Sequence, residues 1–358
     1  MITLKPYSKE SKSIWNEFNQ NAKNGLFMFD RDYMDYHAHR FADNSLMFYE
    51  DEELLALLPL NLKDNILYSH QGLTFGGFIT GEKMKQEKML ECFKLLREYM
   101  QNRGFDKMIY KVIPYIYHKK PAQEDLYALF IHNAKLYRMD CSSSIDMKSP
   151  IALPKGRKAQ ISRAKRENII IEKSENFYDF VLLLNEVLQT RHHTTAVHNA
   201  QELMLLYQNF PHNINLFVAR LDSNILAGTL IFIYENLVHT QYLAVNEEGR
   251  KIGALDLLIK TLIDKFSNTK KYFDFGISTE SNGTILNSGL ISQKEGFGGR
   301  TITHSFYELI INGGGHREKL ISIFFFRLTF FFFLYLLNFF YYQSGKSSHL
   351  ILCKKGIK

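Results

Sequence analysis

The sequence contains few cysteines and lacks several short motifs that would assign a function directly. Its three cysteines, Cys92, Cys141 and Cys353, are odd in number and far apart, so they form neither a disulfide framework nor a metal-ligand spacing. This favours a reducing cytoplasm. The N-terminal segment has no apolar run of the kind found in a secretory signal peptide.

Two motifs, one catalytic and one phosphate-binding, are also absent. No serine lies in a Gly-x-Ser-x-Gly elbow, so serine hydrolysis has no support. Gly345-Lys346-Ser347 lacks the upstream glycine and the preceding strand of a phosphate-binding P-loop. The formal net charge of +7 suggests an anionic partner, and nucleotides, lipid headgroups and nucleic acid all qualify.

The stretch from Leu237 to Phe266 has the pattern of a strand, a polar turn and a helix. Such a unit directs backbone N–H groups and a helix N-terminus at a phosphate. Arg250 and Lys251 add positive charge, and the small residues Gly253 and Ala254 let a phosphate approach the backbone. The pattern predicts an anion site at this turn. The alternative is a tight strand-to-helix connection without a ligand.

An αβ unit occurs twice in the sequence, with an offset of about 170 residues. Leu58–Lys111 and Leu230–Gly276 each read as two strands, a glycine-containing turn, a helix and a closing strand. We therefore expect an α/β fold with mixed, largely antiparallel sheets flanked by helices. The predicted parts are residues 1–147, residues 148–312 and a hydrophobic tail at 313–358. Ser142-Ser143-Ser144 is predicted as a strand edge or linker near the first boundary.

A basic helix is predicted over Lys155–Arg166. Ile161 and Ala164 would face a core, whereas Arg157 and Arg163 would project outward. The outward face is either a solvated surface or a contact for an anionic substrate such as a nucleotide-sugar or a lipid pyrophosphate.

A histidine-rich segment, Thr190–His198, contains His192, His193 and His198. No carboxylate or cysteine completes a zinc spacing, so we predict no metal site. A loop lining the substrate is one interpretation, and an ordinary surface loop is the other.

These segments together resemble the GCN5-related N-acetyltransferase (GNAT) superfamily. Arg250 and Gly253 fit its pyrophosphate-binding motif, whereas Leu255 occupies a final position that is usually glycine or alanine. The neighbouring stretches that carry the resemblance are Ala227–Leu230, Phe273–Glu280, Leu286–Leu290 and Gln293–Gly298. The resemblance covers roughly residues 1–309. Within the superfamily, the sequence is similar to the branch related to Fem-type peptidyltransferases, which is often met among bacterial surface-polysaccharide proteins.

The resemblance implies tandem GNAT-like units, of which the first is degenerate. It further implies an acyl-CoA-dependent N-acyltransferase that acts on an amino sugar or similar amine in surface-polysaccharide or cell-envelope biosynthesis. Acetyl-CoA or another acyl-CoA would be the co-substrate, and the acceptor an amine-bearing sugar or a lipid-linked molecule. One alternative is a Fem-type transferase that uses aminoacyl-tRNA, bound by the basic helix; another is a non-catalytic GNAT-like module.

Acyl transfer to an amine needs a base for the ammonium proton. The candidates are Asp274, His239 and Glu280. Burial of Asp274 in an apolar strand would raise the pKa of its carboxyl group into a useful range; otherwise it is a hydrogen-bond acceptor. His239 is either this base or a core histidine. Lys294 would bind substrate or pair with Glu295.

The remaining predicted contacts follow from the same resemblance. The strand before the turn would offer backbone N–H groups to the thioester carbonyl, and the turn would bind the pyrophosphate. The predicted cofactor-binding residues are Ala244, Val245, Arg250, Lys251, Gly253 and Ala254, and the predicted substrate-binding residues are Arg157, Arg163, His193 and Lys294.

The tail contains an apolar stretch, Leu320–Tyr342, that is long enough to span a bilayer. Arg327 lies near one end, where its side chain could reach the interface. The stretch is a membrane anchor, a hydrophobic hairpin capping the domain, or the product of an altered reading frame. The predicted location is cytoplasmic, free or attached to the inner face of the cell membrane.

Overall fold

A computed structural model of the protein describes residues 1–192 and 194–311. The predicted tail and His193 therefore lie outside the described residues. Among the residues that are described, no helix combines the length and apolar character needed to cross a membrane.

The helices and strands follow one another in mixed order along the chain. The helices are α1 (Lys12–Asn21), α2 (Arg31–Met34), α3 (Gln86–Arg103), α4 (Glu124–Ile131), α5 (Lys155–Arg166), α6 (Phe177–His192), α7 (Ala200–Asn209), α8 (Glu247–Ile252), α9 (Ala254–Phe266) and α10 (Ser288–Glu295). The strands are β1 (Ile2–Pro6), β2 (Ala42–Asp43), β3 (Leu46–Glu50), β4 (Glu53–Leu58), β5 (Asn61–Lys63), β6 (Ile66–Tyr68), β7 (Ile79–Thr80), β8 (Lys107–Lys111), β9 (Lys135–Asp146), β10 (Ile170–Ser174), β11 (Ile214–Leu221), β12 (Asn224–Ile233), β13 (Leu237–Val245), β14 (Tyr272–Ile277), β15 (Thr279–Glu280), β16 (Ile285–Leu286) and β17 (Arg300–Ile310).

An eleven-stranded sheet runs through both halves of the chain, in the order β10, β11, β12, β13, β14, β9, β17, β8, β6, β5, β2. A second sheet contains β1, β3, β4 and β7, and a third pairs β15 with β16. Most neighbouring strands are antiparallel, and helices flank the sheets, so the predicted fold class is confirmed.

Two units within the large sheet have the same topology. β5 and β6 are antiparallel, and β8 returns parallel to β6 after α3. β12 and β13 are likewise antiparallel, and β14 returns parallel to β13 after α8 and α9. The strand order and pairing directions therefore confirm the predicted repeat, except that the first copy starts at Asn61; Leu58 ends the preceding strand, β4.

The last strand of each half crosses into the other half. β9, which follows the first unit in sequence, pairs with β14 of the second unit. β17, which follows the second unit, lies between β9 and β8 of the first. Because of this exchange the two halves share one sheet, and Met1–Leu309 form one unit. The domain boundary after residue 147 stays a prediction.

The serine run Ser142–Ser144 lies in the middle of this sheet. All three residues are buried in β9, between β14 and β17. The prediction of a strand edge or linker was wrong, because small polar side chains can be buried where neighbouring strands supply hydrogen-bond partners.

The helices bury the apolar faces that the sequence periodicity indicates. In α3 these are Met89, Cys92, Phe93, Leu96 and Met100, as predicted, and the helix ends at Gly104, which has a φ of +70°. In α5, Ile161 and Ala164 are buried and join the core that α9 forms against the sheet. The packing of α5 and α9 on one face of the sheet sets the position of the α8–α9 turn.

Candidate functional site

The candidate site lies where β13 and β14 separate. The two strands are in parallel register over three residue pairs, and His239 opposite Asp274 is the last of them. β13 continues to Val245 and β14 to Ile277, but the register between them ends there. On the other side of β13, the pairing with β12 shifts at Gln241, which is a β-bulge. The separation and the bulge open a gap in the sheet beside His239.

His239 and Asp274 are hydrogen-bonded to each other. Nδ1 of His239 lies 2.7 Å from Oδ2 of Asp274. The same carboxylate accepts hydrogen bonds from the Tyr117 hydroxyl at 2.9 Å, the Ser142 hydroxyl at 3.1 Å and the backbone N–H of Gly276 at 3.2 Å. Asp274 has 0% of its surface exposed, so these groups replace the water that would otherwise solvate the carboxylate.

The carboxyl group of Asp274 has a pKa below its ordinary value. Burial raises this pKa, whereas the hydrogen bonds from His239 and from the Tyr117 hydroxyl favour the ionised carboxylate, and the net effect is a lowered pKa. The expectation that burial would raise the pKa of Asp274 into the range of a general base was therefore wrong. An ionised carboxylate only accepts hydrogen bonds, so Nδ1 of His239 carries the proton of this hydrogen bond, and Nε2 is the nitrogen left to face a substrate.

A cavity of about 600 Å³ lies beside His239, and we call it the central cavity. Its walls come from both halves of the chain, including the two exchanged strands. It is lined by Tyr68, Gln71, Thr74, Ile109, Lys111, Tyr137, Arg138, Asp140, His239, Thr240, Gln241, Phe275, Gly276, Ile277, Asn282, His304 and Phe306.

The floor of the central cavity contains polar groups from β9 and β17. Arg138 pairs with Asp140 at 2.7 Å and lies 4.7 Å from the ring centre of Phe306. His304 is 5% exposed, and its Nε2 has no hydrogen-bond partner. Burial lowers the pKa of His304 to about 4, so its ring is neutral at physiological pH. Asp140 therefore balances the charge of Arg138, and His304 offers a neutral hydrogen-bonding nitrogen.

A second cavity of about 560 Å³ borders the same strand, β13, farther along, and we call it the outer cavity. Val245 and Arg250, two predicted cofactor-binding residues, line it together with Arg157, a predicted substrate-binding residue. The other lining residues are Val187, Leu188, Leu243, Leu255, Asp256, Asn287, Gly289, Leu290 and Gln293. Its apolar walls and two arginines suit an elongated ligand that carries a phosphate group.

The predicted polar turn is largely helical. Glu247–Ile252 form α8, capped by the Asn246 side chain, which accepts from the backbone N–H of Gly249 at 2.8 Å. Gly253 joins α8 to α9 with a φ of +81°. A Cβ at Gly253 would lie 2.5 Å from the backbone oxygen of Gln160 in α5. The glycine therefore makes room for a packed helix, and the predicted space for a phosphate at its Cβ position was wrong.

The other predicted residues around this turn are held by protein contacts. Ala254 is buried in the core, and Ala244 is buried in β13 opposite Gly228 of β12. The exposed Lys251 accepts a hydrogen bond at its backbone oxygen from Nη1 of Arg163, at 2.8 Å. Arg163 thus ties α5 to α8, which sequence reasoning did not predict.

Arg157 is half-buried at the edge of the outer cavity. Its guanidinium pairs with Asp256, donates to the backbone oxygen of Gln293 at 3.1 Å and lies 4.0 Å from the ring centre of Phe297. These contacts connect α5, α9 and α10. They hold the guanidinium in place beside the cavity that Arg250 also lines.

Lys294 is buried and supports the end of β14. Its ammonium donates to the backbone oxygens of Gly276 at 2.8 Å and Ile277 at 2.6 Å, so it does not pair with Glu295 as one prediction had it. Burial lowers the pKa of Lys294 to about 8. Glu280 is exposed in β15 and accepts from Asn287 at 2.7 Å, outside the His239–Asp274 hydrogen-bond network.

The histidine-rich segment is described in part. His198 has both ring nitrogens in hydrogen bonds, with Nε2 2.7 Å from the Tyr36 hydroxyl and Nδ1 2.6 Å from the Tyr242 hydroxyl. His198 therefore joins the first half to β13. Over residues 1–192 and 194–311, no group of three or more histidine, cysteine or acidic side chains could hold a metal ion.

Sequence reasoning missed several residues of the site. Tyr117, Ser142, Lys111 and His304 all come from the first half or from the exchanged strands. Lys111, Ser142 and His304 lie in β8, β9 and β17, where polar and apolar residues are mixed, so the pattern gave no signal of a buried role. Nothing in the sequence indicated that they would meet Asp274 or His239.

Residues 157–281 match the family model described as an acetyltransferase (GNAT) domain. This segment of the chain is a GNAT domain. The matched segment contains the His239–Asp274 pair and the α8–α9 turn. GNAT proteins form an acyltransferase family, so the general class of this domain is that of an acyltransferase. No curated protein matches the chain in sequence.

Solved structures share the fold of this protein over most of the chain. The crystal structure of FemX superposes with a TM-score of 0.62 at 11% identity, covering 87% of this chain and 98% of FemX. L-PGS from Bacillus licheniformis has a TM-score of 0.54 at 15% identity, covering 82% and 96%. The C-terminal domain of a putative lysylphosphatidylglycerol synthetase from Agrobacterium fabrum has a TM-score of 0.51 at 11% identity, covering 75% and 84%. At these identities the likeness concerns the fold.

Proposed function

We propose that the protein is an acyl-CoA-dependent N-acyltransferase whose acceptor is an amino sugar or a similar amine of the bacterial cell envelope. The observation that carries this proposal is the His239–Asp274 hydrogen bond at the point where β13 and β14 separate. It provides an oriented imidazole at the edge of a cavity large enough for a small acceptor.

In this mechanism His239 is the general base. The acceptor amine attacks the thioester carbonyl, and Nε2 of His239 takes the proton that the nitrogen loses. The new C–N bond forms as the C–S bond breaks, and CoA leaves as a thiolate, which takes a proton from solvent, while His239 returns its proton to solvent. Asp274 holds the imidazole in the required tautomer and stabilises the charge that the ring gains.

The donor would lie along β13. Beyond Thr240 this strand has no pairing partner in β14, so its backbone N–H groups on that side are the candidates for stabilising the developing oxyanion. The outer cavity would hold the phosphate end of CoA, with Arg157 and Arg250 as its cationic contacts. The backbone of Ala244 and Val245 would contact the thioester, as the family resemblance implies.

The central cavity would hold the acceptor. Its aromatic side chains, including Tyr68, Tyr137 and Phe306, provide faces for a sugar ring, and its polar groups provide hydrogen bonds. The structural likeness to the C-terminal domain of a putative lysylphosphatidylglycerol synthetase, which is named for a lipid product, supports an acceptor from the envelope. A location in the cytoplasm or at the inner face of the membrane agrees with such an acceptor.

A second candidate is a Fem-type transferase that uses aminoacyl-tRNA. The observation in its favour is the exposed basic face of α5, which carries Lys155, Lys158, Lys165 and Arg166. Combined with the FemX-like fold, this face could bind RNA phosphates. A non-catalytic GNAT-like module is the third candidate.

Calorimetry with acetyl-CoA and with bulk tRNA separates the three. The proposal expects saturable acetyl-CoA binding that weakens about tenfold in Arg250→Ala, because a charge-assisted contact is lost. Arg103→Ala, at the end of α3, is the matched control and should bind normally. Acetyl-CoA and a panel of amino sugars should then release free thiol in a His239-dependent manner. Salt-sensitive tRNA binding without CoA binding would favour the second candidate, and binding of neither would favour the third.

A further inference from the structure

Lys111 lines the central cavity without an acidic partner. Its ammonium donates to the backbone oxygens of His70 at 2.9 Å and Leu73 at 2.6 Å. An ammonium has three N–H donors, so one is left for a ligand. Within the described part of the chain, no carboxylate lies within ion-pair distance of this nitrogen.

The charges around Lys111 make its position unfavourable for a cation in the empty protein. Burial, and then the positive charge of Arg138, lower the pKa of Lys111 to about 7. The charge of Arg138 is itself offset by Asp140, which Arg138 contacts at 2.7 Å. A buried cation without a counter-charge costs free energy, and an anion that enters the cavity would reduce that cost.

His304 supplies a second group to the same cavity. Its Nε2 is buried and has no hydrogen-bond partner, although the ring packs in a T-shaped contact on Phe75 at 5.0 Å. A neutral imidazole can donate one N–H without bringing a charge of its own. A ligand oxygen in the central cavity would satisfy this nitrogen.

The repeat places Lys111 at a special position. In the first half, the parallel pairing of β6 and β8 begins with Lys107 opposite Ile66. In the second half, the equivalent pairing of β13 and β14 begins with Tyr272 opposite Leu237. Counting four residues along each strand gives Lys111 in the first half and Gly276 in the second, and both line the central cavity. The first half therefore contributes a cation where the second half has no side chain.

We propose that Lys111 and His304 bind an anionic group of the acceptor, a carboxylate or a phosphate monoester, while the acceptor's amine faces His239. The ligand's identity as the acceptor rests on the proposed function. Anion binding in the central cavity does not, and it can be measured separately.

Titration calorimetry of the full-length protein with inorganic phosphate and with acetate tests this subsite. CoA is kept saturating, so that the outer cavity is occupied. Wild-type protein should bind one anion and take up protons above pH 7, seen as a difference in heat between two buffers of different ionisation enthalpy. Lys111→Met should weaken binding about tenfold or more and abolish the proton uptake, because the ammonium is the titrating group. Tighter binding of phosphate than acetate would identify a phosphate monoester, and the reverse a carboxylate.

Lys111→Arg and Lys119→Met are the controls. Lys111→Arg keeps the charge and should keep anion binding. Thermal unfolding of Lys111→Met shows whether a loss of binding in that variant is a failure to fold. Lys119 also donates to a backbone oxygen, that of Gln20 at 2.6 Å, but lies outside the central cavity, so Lys119→Met should bind normally. Equal anion binding by Lys111→Met and wild type, or no anion binding by wild type, would overturn the proposal.

The subsite and the proposed function can fail separately. If acetyl-CoA binds and is turned over but neither phosphate nor acetate binds, the anion subsite is wrong and the proposed acyltransferase function stands. If CoA does not bind, the titration is repeated without it. Lys111-dependent anion binding then leaves the subsite in place while the acyl-CoA function is abandoned.

Discussion

Tyr117 donates a hydrogen bond of 2.9 Å to Asp274, although 157 residues separate them in the sequence. The Tyr117 ring also packs against Phe75, with ring centres 4.5 Å apart, and Phe75 in turn contacts His304. Groups from the first half thus hold the carboxylate that orients His239. The first half is part of the candidate active site, and more than a support for the second.

His239→Gln should abolish most of the transfer activity. Glutamine keeps a polar side chain of similar reach but cannot accept the ammonium proton, so kcat should fall by roughly 10²- to 10⁴-fold with acetyl-CoA affinity unchanged. Steady-state kinetics and calorimetry on the same preparation measure both. Transfer at the wild-type rate would rule out His239 as the base.

Asp274→Asn should reduce kcat by roughly 10²- to 10⁴-fold with acetyl-CoA affinity unchanged, because an asparagine amide neither fixes the tautomer of His239 nor stabilises the charge that the ring gains in the reaction. Ser144→Ala, which removes a hydroxyl bonded to the backbone of Phe273 in the same strand pair, is the control and should keep the wild-type kcat. A wild-type kcat in Asp274→Asn would mean that the carboxylate does not act through His239.

Tyr117→Phe should make the protein more sensitive to acid. Because the pKa of Asp274 is below its ordinary value of 3.8, this group stabilises the fold above that value, and the contribution is lost as pH falls through the folded pKa. Removing the Tyr117 hydroxyl raises the folded pKa, so stability should be lost at a higher pH. We also expect a loss of about 1–3 kcal/mol in the free energy of unfolding at neutral pH.

Urea unfolding at a series of pH values measures the effect of Tyr117→Phe. Tyr115→Phe changes an exposed tyrosine in the same segment and should behave as wild type. If the free energies of unfolding of Tyr117→Phe and wild type fall over the same pH range, the hydroxyl does not stabilise the ionised carboxylate.

Gly253→Val should destabilise the fold before it affects any ligand. The residue has a φ of +81°, and the new Cβ would lie 2.5 Å from the backbone oxygen of Gln160, so we expect a loss of about 1–3 kcal/mol or more. Gly156→Ala, in α5 with open space at its Cβ position, should be neutral or slightly stabilising. Thermal unfolding beside CoA calorimetry checks both. Loss of CoA binding in Gly253→Val with an unchanged melting temperature would instead support the prediction that a phosphate binds at this glycine.

Lys294→Met should change how stability depends on alkaline pH. Burial lowers the pKa of Lys294 to about 8 from an ordinary 10.5, so between these values the unfolded chain binds more protons than the folded one. The free energy of unfolding therefore rises with pH in this window. In Lys294→Met, which lacks the ammonium, this rise should be smaller. Lys265→Met, at an exposed position of α9, is the control. Equal slopes for Lys294→Met and wild type between pH 8 and 10.5 would contradict the buried ammonium.

Local patterns in the sequence determined most of the elements. The spacing of Met89, Cys92, Phe93, Leu96 and Met100 predicted the buried face of α3, because a helix places residues three and four apart on one side. The recurrence of two strands, a helix and a strand predicted the repeat and the fold class. The single acid within the apolar strand Tyr272–Phe275 also indicated Asp274 as a candidate site residue.

The tertiary structure alone decided how these elements combine. The exchange of β9 and β17 between the halves depends on pairings between distant strands, and short-range periodicity carries no information about them. For the same reason the sequence did not connect Tyr117 or Lys111 with the site. The pKa of Asp274 fell rather than rose, because the hydrogen bonds that surround it come from other strands and outweigh burial. Gly253 proved to be required by α5 because only the packed structure shows that a helix backbone occupies the place of its missing Cβ.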